Sequence, residues 1–321
     1  MGKALRAKRL SSVLKMTLIQ MGRVVSGREG IRVPLLLVFL FAAVIGSLAQ
    51  APSDVSADAA ARLHRQITTG STEEKRSALS EIRNLRSPVA SSIAVPALRD
   101  KNELVRATAA SSVVFLPAPD AARELVPLLT DRAEFVRREA AHALGEVGDA
   151  SGSLPLVRLM QRDKILEVRT AAAIALGKIG DPAAIESLLE ILRPRPREDD
   201  EFLRRSAARA IGQIAQKGLT GDSSVLTPQN FLPDKFKDLG PASDRANPRT
   251  GFSTAVDVLI GVLRNTSESD DTRREAAFSL GAIGDSKAVT VLQAFTSAAD
   301  PYLAEIAREA LLKIQRRISS E

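Results

Sequence analysis

Between Val136 and Asp149 the chain reads VRREAAHALGEVGD, with apolar side chains at positions 0, 4, 7, 8 and 11 of the segment. That spacing marks one face of a 3.6-residue helix. The pattern returns as VRTAAAIALGKIGD from Val168, as TRREAAFSLGAIGD from Thr272 and as LRRSAARAIGQIA from Leu203. Looser copies start at Val105 (VRATAASSVVFL), Leu303 (LAEIAREALLKI) and Ser71 (STEEKRSALSEI). The seven starts lie 34, 31, 32, 35, 69 and 31 residues apart, and the 69 is one period plus an insertion. Ala at positions 4, 5 and 7 lets a neighbouring helix approach closely, and Leu or Ile at position 8 fills a core. The Gly-Asp that follows stops the helix, because Gly accepts the left-handed C-cap conformation, and Pro182 suits the first turn of the next helix.

Between the copies lie further apolar helical stretches: 122–129, 154–160, 185–192 and 255–263. Each repeat therefore reads as a helical hairpin. One hairpin cannot bury both of its apolar faces, so the predicted fold is all-α, a solenoid of about seven stacked hairpins over residues 56–318. Two stretches break the register. Residues 193–201 (RPRPREDDE) read as a charged loop. Residues 217–251, with four Pro, four Gly and the rings Phe231 and Phe236, read as a flexible insertion, either tolerated at the surface or used as a partner-binding arm.

Composition changes this picture in one respect. The chain carries 45 Lys and Arg against 38 Asp and Glu, a formal charge of +7. Eight of those bases and one acid fall in residues 1–49, leaving 37 of each sign in residues 50–321. The basic excess belongs to the leader, and a body that neutralised many phosphates would carry its own surplus. The 321-residue chain has no Cys, which excludes disulfides, thiolate metal sites, a thiol nucleophile and a lipid-modified cysteine.

In the leader, residues 33–49 (VPLLLVFLFAAVIGSLA) carry no charge, follow basic residues and end in small ones. The stretch reads as a signal peptide cut after Ala49, or as a membrane anchor if uncut, with residues 50–55 as a linker, and the Arg-rich, acid-poor start also fits an organelle transit peptide. The signal-peptide and anchor readings both put residues 50–321 outside the cytoplasm, in the periplasm or secreted in a bacterium. Translation from Met16 or Met21 instead of Met1 would shorten the basic region.

The segments VRxxAAxALGxIGD resemble the HEAT repeat family, in particular its short branch first noted in bilin lyases. The resemblance implies a ladder in which an Asp ending the first helix and an Arg six residues later bond along the stack. The matching pairs are Asp100 and Arg106, Asp131 and Arg137, and Asp163 and Arg169. Arg204 and Arg273 keep the Arg without a strict Asp. Thr72 and Ala304 replace it in the terminal copies, as capping repeats would.

The family includes bilin lyases and iron-dependent hydroxylases, but this sequence supplies little for either. The hydroxylases carry His-Glu dipeptides, whereas here His64 precedes Arg65 and His142 precedes Ala143. Glu139, His142 and Glu146 share a helical face without the second half a di-metal site needs. No cofactor or metal is expected. The remaining candidate surface is the solvent-side row of the second helices, at positions 3, 6 and 10, which lines the concave face in proteins of this kind. It contains Phe115, His142, Ile174, Arg209 and Phe278. The favoured reading is an exported protein-interaction scaffold without catalytic activity and with a protein partner of unknown identity. The alternatives are an enzyme of the lyase or hydroxylase type and a nucleic-acid-binding solenoid, although no nucleic acid is expected.

Overall fold

Paired alanines at positions 4 and 5 of each central copy set how its helices meet. In a computed structural model, which describes residues 55–220 and 252–319, Ala140, Ala141, Ala172, Ala173, Ala207, Ala208, Ala276 and Ala277 are all buried. Fourteen α-helices form seven hairpins among the described residues. They are α1 (Ala57–Thr69) with α2 (Thr72–Leu85), α3 (Pro88–Ala94) with α4 (Glu103–Ser112), and α5 (Ala118–Leu125) with α6 (Glu134–Val147). The next two are α7 (Ser153–Arg162) with α8 (Leu166–Ile179) and α9 (Ile185–Leu192) with α10 (Glu201–Thr220). The last two are α11 (Ser253–Arg264) with α12 (Asp270–Ile283) and α13 (Val289–Phe295) with α14 (Pro301–Ser319).

Each second helix packs on the second helix of the next hairpin, including α10 on α12 across the insertion. The position-8 side chains Ile82, Val113, Leu144, Leu176, Ile211 and Leu280 are fully buried between them. Each such burial contributes roughly 1.5–3 kcal/mol. Close approach is enforced at position 9. A Cβ on Gly177 would lie 2.8 Å from Ala210 Cα, and one on Gly281 would lie 2.7 Å from Ala310 Cα. In the last described copy Leu312 stands at that position, half exposed.

The Gly-Asp punctuation works at both residues. Gly148, Gly180 and Gly284 end α6, α8 and α12 in the left-handed conformation, at φ 71°, 74° and 78°. Each following Asp then caps the next turn. The side chains of Asp149, Asp181 and Asp285 accept from the N–H of Ser151, Ala183 and Lys287 at 2.9, 3.0 and 2.8 Å. A second device closes two of these ends. Lys217 Nζ donates to the carbonyl oxygens of Lys178 and Ile179 at 3.2 and 2.5 Å. Arg317 Nη1 donates to those of Ala282 and Ile283 at 2.9 Å each. A cation over the last carbonyls also opposes the negative end of the helix dipole.

The ladder is present, and its rungs join successive repeats. Arg106 donates to both carboxylate oxygens of Asp131 at 2.7 Å, and its Nη1 donates to the carbonyl oxygen of Asp100 at 2.9 Å. Arg137 repeats this with Asp163 at 2.6 and 3.0 Å and with the Asp131 carbonyl at 2.9 Å. The first copy does not lose its cation: Lys75 Nζ reaches Asp100 at 2.6 Å. The repeat start expected at Ser71 lies three residues later. The true equivalent of Val105 is Glu74, which places Ala78, Leu79 and Ile82 in the core. Arg169 makes no rung, because the next junction is the 193–200 loop, and its Nε donates to the Met160 carbonyl at 2.8 Å.

Arg204 restores the ladder. It is 1% exposed, forms a two-pronged pair with buried Glu268, and donates to the carbonyl oxygens of Ile191, Leu192 and Pro194 at 2.7, 2.9 and 3.0 Å. Arg273 turns instead to the Leu263 carbonyl and lies over the Phe295 ring.

The expected loop 193–201 is shorter than read, since Glu201 already opens α10. The expected insertion also starts later, because α10 runs on to Thr220. The rest of the insertion, with Phe231 and Phe236, lies outside the described residues, as does the leader 1–49. No helix among the described residues is long and apolar enough to cross a membrane.

Candidate functional site

Positions 3, 6 and 10 of a second helix lie one above another, so seven stacked copies should present one continuous row. The row is real but uneven. His142 and Ile174 are half-buried on it, and Arg209 is exposed and paired with Glu275 of α12. Phe278 is not an exposed anchor. It is 6% exposed, and Lys313 Nζ of α14 sits 4.6 Å from its ring centre. Phe115 leaves the row altogether. Helix α4 stops at Ser112, with Val113 as its C-cap, and Phe115 lies in the following turn. Two β-branched residues and then Pro117 account for the early stop, since Pro disfavours helical backbone at Leu116.

The missing last turn of α4 opens a depression of about 430 Å³. Its floor is small side chains of α4, among them Thr108 and Ser111, and its walls are Asn84 of α2 with Phe135 and Glu139 of α6. Across the gap Arg83 of α2 reaches Glu146 of α6 at 3.4 Å, two repeats away. A contact that skips a repeat means the second-helix face closes inward here. Burial holds His142 below its ordinary pKa, outweighing the Glu139 carboxylate that favours its charged form. Among the described residues, no three His, Asp or Glu side chains gather closely enough to hold a metal ion.

A second depression, of about 360 Å³, lies on α10, α12 and α14. The sequence reading missed it, because its signal sits one residue before the repeat start. At that position stand Phe135, Glu167, Phe202, Asp271 and Tyr302 in the last five copies, rings alternating with carboxylates. Position −1 is one turn before position 3, so these side chains extend the same row. Phe202 and Tyr302 are 62% and 56% exposed. Arg205 lies 5.1 Å from the centre of the Phe202 ring, and Arg274 lies 5.2 Å from that of Tyr302. Asp271 accepts from both arginines at 2.8 Å, and Asp300 accepts from Arg274 Nε at 2.7 Å.

The sequence profile of HEAT repeats matches residues 60–145, 122–212 and 242–312. The chain belongs to the HEAT repeat family. No curated protein matches it in sequence. Solved structures similar to this HEAT protein include an engineered protein at 22% identity, covering 80% of this chain and 68% of that one, with a TM-score of 0.50. The complex of CpcE and CpcF of phycocyanin lyase from Nostoc sp. is similar at 20% identity over 84% of this chain and 95% of that one, with a TM-score of 0.44. Human deoxyhypusine hydroxylase is similar at 19% identity over 80% and 96%, with a TM-score of 0.35. The first of these likenesses speaks to the fold alone. The HEAT ladder arginines are structural here, since each guanidinium described above is spent on carbonyls, carboxylates or a ring of the stack itself.

Proposed function

We propose that this HEAT protein is an exported scaffold that holds a protein partner along the concave face of its second helices. The observation that carries the reading is the two depressions on one helical row, linked by half-buried His142 and Ile174. A long surface of mixed polar and apolar side chains suits a peptide or protein edge. Export rests on the leader, where the whole net charge of the chain precedes an apolar run of 17 residues. Membrane contact is confined to residues 33–49 if that run stays uncut. No catalytic role is proposed, and nucleic acid is disfavoured because the row's arginines are already paired.

The test is a photocrosslinking residue in place of Ile174 in intact cells, with the attached molecule identified and its compartment determined. A specific protein captured outside the cytoplasm supports the reading. Capture of no protein, or a chromophore or stoichiometric metal co-purifying with the chain, overturns it.

A further inference from the structure

Helices α6, α8 and α12 end in the same Gly-Asp pair, with Gly148, Gly180 and Gly284 in the left-handed conformation. The last carbonyls of a helix have no partner within it, and at two of these ends the next repeat supplies one. Lys217 of α10 covers the carbonyls of Lys178 and Ile179, and Arg317 of α14 covers those of Ala282 and Ile283. Both cations stand at position 14 of their copies, counted from Leu203 and Leu303. Helix α8 is too short to do the same for α6. It stops at Ile179, and its position 14 is Pro182, in the turn beyond. Lys178, at position 10, lies against Gly145, in the place Gln213 takes against Gly177 one repeat later. Among the described residues no side chain bonds to the carbonyls of Glu146 and Val147. A Cβ on Gly148 would meet nothing within 4 Å, whereas one on Gly180 would strike Lys217 and one on Gly284 would strike Arg317.

The open end is also the one whose own charge suits a cation. Position 10 beside it is Glu146, where α8 has Lys178 and α12 has Ala282. Asp149 follows it, as an Asp follows the other two, and the helix dipole adds about half a negative charge. Arg83 meets the Glu146 carboxylate at 3.4 Å with the two side chains 46% and 40% exposed, and it leaves the carbonyls untouched. Resting on the scaffold reading above, we infer that the C-terminus of α6 is a seat for a lysine or arginine side chain of the bound protein, held by the Glu146 and Val147 carbonyls and the Glu146 carboxylate. The molecule itself shows the fit twice, with an ammonium at one end and a guanidinium at another, each bridging two successive carbonyls. An acidic or apolar side chain has no donor to offer them. His142 stands one turn before Glu146 on the same face, so a segment lying along the row has this end within reach of a long side chain.

The test is a nuclear magnetic resonance titration of the isotope-labelled full chain with n-butylguanidinium, and with n-butanol as its uncharged match. Saturable amide shifts are expected at Val147, Gly148 and Asp149 with the cation and none with the alcohol, and the response should weaken as salt is added. The ends at Gly180 and Gly284 should stay still, because Lys217 and Arg317 already cover them. Glu146→Gln, a change at an exposed side chain, should weaken the response about three-fold or more at an unchanged melting temperature. Lys217→Met should bring the same response to Gly180, which establishes that the probe reports on an uncovered end. No shift at residues 147–149, or shifts unchanged by Glu146→Gln, overturns the inference. In cells, a photocrosslinker replacing exposed Ala150 should attach to a partner segment that contains Lys or Arg. A partner captured from Ile174 whose segment at position 150 has neither residue removes this inference and leaves the scaffold. Capture of no protein from either position removes both.

Discussion

In the first three repeats the cation of the second helix meets a carboxylate 25 or 26 residues further along the chain. Between the fifth and sixth repeats it meets Glu268, 64 residues away. The early rungs sit at the edge of the stack, with side chains 6–16% exposed. In the late one both side chains are 2% exposed. Position in the stack, not distance in sequence, therefore sets which carboxylate an arginine finds. The late pair joins α10 to α12 where the connecting chain is long, and Arg204 also donates to three carbonyls at and just after the end of α9, in its own hairpin. The cost of breaking the joint should differ accordingly. Two charges taken out of water need each other far more than two at an edge.

The largest effect should come from Leu176→Asp, which puts an unpaired charge at a fully buried position between α8 and its neighbours. A loss on the order of 4 kcal/mol or more is expected in thermal melting followed by circular dichroism, and an unchanged melt would show the repeat register to be wrong. Glu268→Ala should follow, at about 3–5 kcal/mol, because it strands buried Arg204. Asp131→Ala removes a partly exposed rung and should cost only about 1–3 kcal/mol. Equal losses for these two would erase the contrast between the halves. Gly177→Ala probes the packing without touching charge. Its Cβ would press on Ala210 backbone, and about 1–3 kcal/mol is expected.

Acid sharpens the same contrast. Burial pushes Asp100, Asp131 and Asp163 up, but bonds from Lys75, Arg106 and Arg137 and from backbone N–H groups outweigh it, leaving each below the ordinary carboxylate range. A carboxylate shifted this way contributes its stability above the unfolded pKa of about 3.9 and loses it as pH falls through the lower folded value. The melting temperature should thus hold steady from neutral pH to about pH 5 and fall below about pH 4, and Asp131→Ala should flatten part of that fall. The smallest effect should be a gain. Arg86 ends α2 at φ 49°, where the later copies use Gly, so Arg86→Gly should stabilise by about 0.5–1 kcal/mol in the same melt.

The sequence by itself determined the hairpin, its period and its number. A 3.6-residue apolar pattern that recurs near every 32 residues leaves a chain no way to bury its faces except by stacking. It also marked the Gly stops, and the family resemblance marked the ladder residues from Asp100 to Asp163, though not that Arg169 would make no rung. It misaligned the first copy because Lys75 does the work of an Arg there, and a charge in a looser copy gives no register without its partner in view. It could not find Glu268, which neighbours Arg204 only once α10 and α12 are packed. Nor could it tell that Phe278 is covered while Phe202 and Tyr302 are more than half exposed. One helix shows which side chains share a face, but only its neighbours decide which part of that face stays in contact with water.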